Sequence, residues 1–378
     1  MLASMRVLMI SKALVVGAYQ RKAEELAKLP GMELMVVAPP SWILEGKPQR
    51  LERTYTAGYE LAVEPMALNG HFHVHFYPLL RRRFAQFKPQ LVHIDEEAYN
   101  VATFQALRLA REHRARSVFF TWQNLDRRYP WPFSALERYV LRNADYCIAG
   151  NEEAAAIQRR RGFAKGLQVI PQFGVDPDLF RPAPAPHDGF LVGYSGRLVE
   201  QKGLWLLCDA FEQLPPDCQL LLVGSGPLEA ALRARAAANG WVDRLTITAA
   251  PSTRMADFYR QMDCLALPSL TTLTWKEQFG RAAVEAMACG VPVVGSDSGE
   301  IPHVLGPTGI TVPEGDADAL AVALRRLRAS PAEREELAVI GRRRVEERFT
   351  QAQVARRTHD VYKSIIDDTG NYALDTRS

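Results

Sequence analysis

Cysteine is scarce and irregular in this chain. The 378 residues contain five (Cys147, Cys208, Cys218, Cys264 and Cys289), an odd number with no C-x-x-C spacing. That pattern excludes a disulfide framework and a cysteine-based structural zinc site, and it reads as reduced thiols, several of them buried. An excess of one charge is also lacking. The balance is +3, carried by scattered arginines, so composition gives no case for a nucleic-acid partner. Long apolar runs are missing too. No stretch reaches the roughly 18–20 consecutive apolar residues of a membrane span, and Met1 to Ile10 leads into a strand pattern in place of a signal peptide. A cytoplasmic chain is expected, with peripheral contact at the inner face of the cell membrane as an extension of that reading.

What is present suits an ordinary globular protein, with 47% hydrophobic and 24% charged residues. A single core usually stops growing near ~250–300 residues, so the length implies two domains. From Met5, short apolar runs alternate with amphipathic stretches: Val7–Ile10, Glu33–Ala38, Phe72–Tyr77, Leu91–Ile94, Ser117–Thr121 and Tyr146–Ala149 read as strands. A second series runs through Phe190–Tyr194, Gln219–Val223, Leu245–Ile247, Cys264–Leu267, Val291–Val294 and Gly309–Val312. Alternation of this kind implies mainly parallel sheets covered by helices, here two doubly wound α/β domains in tandem. The alternating prolines of Arg181–His187 cannot join a sheet interior and mark the linker. The expected division is 1–184, 185–348, and a final helix and tail, 349–378. After Ser330 the pattern gives a helix over Pro331–Glu347, a break at Phe349-Thr350, and an amphipathic helix from Gln351 to about Ile366. Pro39–Pro65 is the main insertion, a mobile loop or a small extra element. Ligands in doubly wound domains bind at the carboxyl ends of the strands, which directs attention to the loops there.

The stretch Trp275–Pro292 places Glu277 and Glu285 eight positions apart. In one continuous helix their carboxylates would stand about 12 Å apart and roughly 80° around the axis. If the helix instead starts near Phe279-Gly280, Glu277 lies in the preceding loop, Glu285 on the second turn, and the free backbone amides between them suit a diphosphate. Tyr194–Gly203 follows a strand and precedes a helix expected over Leu204–Leu214. Its Arg197 and Lys202 converge with a helix start on one spot, which is a phosphate site by electrostatics. Leu222–Leu228 adds glycines and a serine at a third strand-to-helix junction, of the kind that packs against a base or ribose.

These elements together resemble the retaining GT-B glycosyltransferases of glycosyltransferase family 4. The resemblance runs from the opening strand through Phe173–Phe180, similar to that family's interdomain segment, to the final helix, which in the GT-B fold crosses back to the N-terminal domain. It implies a hexosyl transfer from a UDP- or GDP-sugar to a glycan or lipid-linked acceptor, in cell-envelope or exopolysaccharide synthesis. It further implies that Arg197 and Lys202 bind the donor diphosphate and neutralise the leaving group, and that Glu277 holds hydroxyls of the transferred sugar near the reacting carbon. Glu285 would bond the ribose. Ser195, Gly196, Gly224 and the amides around Phe279 and Gly280 complete the donor side, and Gly17 would approach the diphosphate from the first loop. Many members show a histidine where Gln123 stands here, an amide that bonds hydroxyls but does not titrate near neutrality. Asp95 and Glu96, in the run Asp95-Glu-Glu97, face either the acceptor or solvent.

The remaining signals receive plainer readings. Asp176-Pro-Asp178 and Asp316-Ala-Asp318 suit turn and capping roles, so no metal or cofactor is expected. His71, His73 and His75 alternate and would share one strand face, more in keeping with half-exposed side chains than with metal ligands. Arg81–Arg83 with Phe84 and Phe87 form a basic helix, either an ordinary solvated face or a membrane contact. Two rival functions use the same donor site: a nucleotide-sugar epimerase or hydrolase, and a non-catalytic nucleotide-sugar-binding subunit.

Overall fold

The computed structural model describes residues 4–44, 46–183 and 189–375. The chain forms two units, Met1–Gly174 with Gln351–Ser378, and Val175–Thr350. The first boundary lies upstream of the one expected at 184/185, because Val175–Phe180 is tied into the second unit. The Val175 N–H donates to the Phe349 carbonyl at 2.8 Å, and Phe180 is buried beside Tyr259 and Val345. The second boundary moves two residues on, to 350/351. Phe349 keeps its ring 5.8 Å from that of Phe279. Residues 184–188 of the proline stretch lie outside the described residues.

The first unit contains β1 (Met5–Ile10), α1 (Arg21–Ala27), β2 (Met32–Ala38), β3 (Ser41–Leu44), β4 (Lys47–Arg50), β5 (Glu60–Val63), α2 (Leu80–Phe87), β6 (Leu91–Ile94), α3 (Val101–Glu112), β7 (Arg116–Thr121), α4 (Phe133–Asn143), β8 (Tyr146–Ala149), α5 (Glu152–Arg160) and β9 (Gly166–Val169). Seven strands form a parallel sheet in the order β5-β2-β1-β6-β7-β8-β9. Its central strands are apolar on both faces, as a sheet covered twice requires. Leu8, Ile10, Met35, Val37, Val92 and Ile94 pack against Ala102 and Ala106 of α3, while Val7, Met9, Leu34, Val36 and Leu91 pack on the other side with Leu26 of α1.

In the second unit, β10 (Phe190–Ser195), α6 (Leu204–Glu212), β11 (Cys218–Val223), α7 (Glu229–Ala238), β12 (Leu245–Thr248), α8 (Met255–Tyr259), β13 (Cys264–Leu267), α9 (Arg281–Ala288), β14 (Val293–Ser296), α10 (Ile301–Leu305), β15 (Ile310–Val312), α11 (Ala317–Ala329) and α12 (Pro331–Arg348) follow the same plan. The parallel order is β12-β11-β10-β13-β14-β15. Val192, Leu220 and Ala266 face Phe211 of α6 and Leu324 of α11, and Leu221, Leu265 and Val293 face Val284 and Met287 of α9. The last helix, α13 (Gln351–Asp375), returns to the first unit. Its Val354, Tyr362 and Ile365 join the cluster of Val7 and Met9.

Several features differ from the sequence reading. Phe72–Tyr77 is not a strand: His75 N–H turns back to the His71 carbonyl at 3.2 Å, and an isolated Ala67–Phe76 bridge is its one ladder contact among the described residues. The three histidines therefore do not share a strand face. His73 packs among Tyr99 (5.2 Å), Tyr129 (5.7 Å) and Phe133 (5.2 Å), whereas His75 is buried with Nε2 3.6 Å from Glu96 Oε1. Pro39–Pro65 carries the antiparallel β3-β4 hairpin and the edge strand β5. Asp176 accepts from the Asp178 N–H at 3.0 Å in a turn, and Asp316 caps α11 by accepting from the Ala319 N–H at 2.8 Å. Helix α2 forms, with Arg83 paired to Glu64 and Arg81 to Glu112. All five cysteines are buried and unpaired. Among the described residues, no helix is long and apolar enough to cross a membrane.

Candidate active site

Both sheets reverse their strand order beside their first strand, between β1 and β6 in one unit and between β10 and β13 in the other. Helices on opposite faces diverge at such a point and leave a crevice beyond the carboxyl ends of the strands. Each unit has a cavity there.

The second unit's cavity, about 370 Å³, is lined by Ser195, Gly196, Arg197, Lys202, Tyr259, Trp275, Glu277, Gly280, Arg281 and Glu285 among others. Its floor is set by the turn after β10. Gly203 takes φ +68° and lies so close to β13's loop that a Cβ there would stand 1.8 Å from the Pro268 carbonyl oxygen, so only glycine lets the chain turn into α6 at this point. Lys202, just before it, donates to Glu277 Oε2 at 2.6 Å and sits 4.7 Å from the Trp275 ring. Ser269 Oγ donates to the same carboxylate oxygen at 3.2 Å. Helix α9 starts at Arg281 after Gly280 at φ +73°, so Glu277 stands in the loop and Glu285 on the second turn. Arg281 Nε donates to Glu285 Oε1 at 2.7 Å, and the Tyr259 hydroxyl donates to Glu285 Oε2 at 2.9 Å while lying 3.0 Å from Ser195 Oγ. Burial, with Glu285 beside it, keeps the Tyr259 phenol protonated far above the usual range. The result is a cavity with two fixed carboxylates and three cationic side chains, suited to an anion with attached hydroxyls.

The first unit's cavity, about 550 Å³, is lined by Lys12, Trp42, Lys47, Phe72, Asp95, Glu96, Glu97, Phe120, Trp122 and Gln172 among others. The acidic run follows β6 directly, and it is not a solvated loop: Asp95 and Glu96 are buried. Ser11 Oγ donates to Asp95 Oδ2 at 2.6 Å, and burial raises the Asp95 carboxyl above its ordinary range. Burial also pulls Glu96 upward, but Lys12 and His75 outweigh it and hold this carboxyl at about 2. Glu97 accepts from Thr121 Oγ1 at 2.6 Å and from the Trp122 N–H at 2.8 Å. Those bonds oppose burial without cancelling it, and its carboxyl is pushed up to about 7.

Of the residues singled out in the sequence, Ser195, Gly196, Arg197, Lys202, Glu277, Gly280 and Glu285 are brought together in one cavity. Gly224 supports it from outside, packed on the Gly196 carbonyl, and Phe279 turns its ring to Phe349. Gly17 lies in the first unit with its N–H on Glu52 Oε2 at 2.7 Å. Asp95 and Glu96 line the other cavity, while Gln123 is buried beside it and accepts from Arg161 Nη1 at 3.2 Å. Sequence reasoning missed Tyr259, Trp275 and Arg281 in one site and Lys12, Trp42, Phe72, Trp122 and Gln172 in the other. Arg281 and Trp275 lie within the Trp275–Pro292 stretch that carries Glu277 and Glu285. Tyr259 and Trp42 come from separate elements, and nothing local marks them.

Residues 17–172 match the family described as glycosyl transferase 4-like domain, and residues 175–344 match glycosyl transferases group 1. A D-inositol 3-phosphate glycosyltransferase of Xylanimonas cellulosilytica is 33% identical over 60% of this chain and 58% of its own length. The lipopolysaccharide core biosynthesis mannosyltransferase LpcC of Rhizobium leguminosarum bv. viciae is 30% identical over 62% of this chain and 69% of its own. The chain thus spans between about half and two thirds of the curated relatives it matches. Among solved structures, HepE of Anabaena in complex with UDP shares the fold with a TM-score of 0.75 at 19% identity, covering 95% of this chain and 100% of that one. The chain belongs to the group 1, family 4-type glycosyltransferases and has the GT-B fold.

Proposed function

We propose that this chain is a retaining glycosyltransferase that moves a hexosyl group from a UDP- or GDP-sugar to a glycan or lipid-linked acceptor in cell-envelope or exopolysaccharide synthesis. The observation that carries this reading is the convergence of Arg197, Lys202, Glu277 and Glu285 on one cavity at the strand-order reversal of the second unit. The two relatives are named for glycosyl transfers, and the UDP bound to the HepE neighbour fits the same donor class.

In this reading the donor diphosphate takes its charge compensation from Arg197 and Lys202. Lys202 is held by Glu277 in the structure. An arriving phosphate shares that ammonium and leaves the carboxylate free to accept from hydroxyls of the transferred sugar. Glu285, fixed by Tyr259 and Arg281, accepts from the ribose. The bond from the anomeric carbon to the diphosphate oxygen breaks with its electron pair going to the phosphate. Preorganised cations stabilise that developing charge in a way a mobile solvent does not. The acceptor oxygen bonds to the same face of the carbon as its hydroxyl proton passes to the departing phosphate oxygen.

Incubation with UDP- and GDP-hexoses, with and without sugar acceptors, tests the proposal when nucleoside diphosphate and products are followed by mass spectrometry and the anomeric configuration by NMR. A glycoside of retained configuration is expected, with Arg197→Ala slowing its formation by about 10²–10³-fold. Free hexose or an epimer formed equally well without acceptor would support the hydrolase or epimerase alternative.

A further inference from the structure

The first unit has another cavity at the opposite end of its strands, by the amino ends of β1, β6 and β7. Its volume is about 630 Å³, and it lies about 20 Å along β1 from Lys12 and the crevice. Among the described residues its lining includes Arg6, Lys88, His113, Arg114 and Arg116 and no carboxylate. In a chain whose 46 lysines and arginines nearly balance 43 aspartates and glutamates, a wall of one sign needs its own explanation.

The backbone sets these cations in place. Gln90 ties the strand starts together: its side-chain oxygen accepts from the Arg6 N–H at 2.9 Å, its own N–H donates to the Arg6 carbonyl at 2.9 Å, and its carbonyl accepts from the Arg116 N–H at 2.8 Å. Arg6 Nε donates to the Lys88 carbonyl at 3.0 Å, which leaves its two terminal nitrogens as further donors. Arg116 Nη1 donates to Asp145 Oδ1 at 2.9 Å, whereas among the described residues Arg6, Lys88 and Arg114 have no ion pair. Lys88 and Arg114 stand where α2 and α3 end, at φ +50° and +55°. Glycine or asparagine is usual at such a position, because a Cβ is disfavoured there. Leu68 is the one other residue besides glycine with a positive φ among the described residues, so two of these three positions fall to cations of a single cavity. A helix-end cation also complements the helix dipole, but that role is filled as well one turn earlier, in ordinary helical backbone.

We infer that this cavity binds a phosphate group, carried by a small soluble molecule or by a lipid headgroup. Two guanidinium forks and an ammonium without carboxylate partners suit the double charge and the several oxygens of a phosphate. Ala85, Pro89 and Ile366 supply apolar surface beside them for whatever carries that phosphate. The site is separate from the two crevices and does not depend on the transfer reaction proposed above.

The test follows the backbone amide NMR signals of Lys88, Gln90, Arg114 and Arg116 in the whole chain as inorganic phosphate or pyrophosphate is added at constant ionic strength. Flotation with phosphatidylcholine vesicles, with and without phosphatidylglycerol, forms the second arm. The main variant is Lys88→Gly/Arg114→Gly, which removes two charges and gives each position the residue its backbone angle favours, so its melting temperature should stay close to that of wild type. Arg6→Gln is the second variant and decides if the first is unstable. Saturating shifts of those amides, weakened about tenfold or more in the variants, place the phosphate on a soluble molecule. Flotation that requires phosphatidylglycerol and is lost in the variants, without such shifts, places it on a lipid. No response of wild type in either arm overturns the inference, as does binding that both variants leave unchanged, or amide shifts no larger than sodium chloride produces. Phosphate bound only at the second unit's cavity leaves these four amides unmoved, and so also overturns it.

Discussion

Single side chains in both cavities have consequences that can be measured. Glu97 titrates at about 7 because burial outweighs its two hydrogen bonds. In the unfolded chain it ionises near the ordinary glutamate value of about 4.3. Between those values the native state binds a proton that the unfolded state has released, so this group's contribution to stability is full below the lower value and is lost as pH rises towards 7. Urea unfolding at pH 5, 6, 7 and 8 should show Glu97→Gln gaining on wild type across that window by up to about 1 kcal/mol per pH unit; parallel curves would contradict the assignment. Lys202 is the cation nearest the proposed sugar-orienting carboxylate. Lys202→Ala should lower kcat by about 10²-fold or more with little change in folding stability, read from initial rates and a melting curve on the same preparation. Gly203 has neither the space nor the backbone angle for a side chain. Gly203→Ala should cost about 2 kcal/mol or more of stability and weaken nucleotide binding in the folded fraction, measured by denaturant titration and calorimetry.

At the scale of elements, α13 shows how a late segment completes an early one. Tyr362 is fully buried, and its hydroxyl meets Nδ1 of His93, while Val354, Val361 and Ile365 cover α1 and the first sheet. Tyr362→Ala should destabilise the first unit by about 3 kcal/mol, seen as earlier loss of amide protection in β1 and β6 than in β10 and β13; uniform loss across both sheets would contradict it. The same scale explains what was legible in the sequence. Strands buried on both faces, such as β6 and β13, are continuous apolar runs and were read almost to the residue, and α9 follows from the glycine that precedes it. The segment Phe72–Tyr77 has the alternation of a strand but serves as a turn, with His73 held by Tyr99, Tyr129 and Phe133, contacts no local pattern reports. The hairpin β3-β4 was hidden for a similar reason. Its exposed residues carry little periodicity, and Trp42 gains its meaning from Lys12, Phe72 and His75, which lie apart from it in sequence. The residues of the second-unit cavity were legible because most of them fall in two short stretches. The first-unit cavity was legible only at Asp95 and Glu96, because the rest draws on the loop after β1, the hairpin, Phe72, the end of β7 and Gln172.

The whole molecule repeats one architectural device in two units, each with a cavity at the reversal point of a parallel sheet. The cavities differ in chemistry: one gathers cations around two carboxylates, and the other gathers carboxylates among aromatic rings. Whether the proposed diphosphate site lies in the second unit is tested by a thermal-shift series with UDP, GDP, ADP and their hexose conjugates on wild type and Arg197→Ala. A ligand that binds only the folded state at about 100 times its Kd adds about 2.7 kcal/mol, several degrees for a protein of this size. That shift is expected for one nucleotide family in wild type and should be lost in Arg197→Ala. An unchanged shift in the variant, or no shift with any nucleotide, would contradict it.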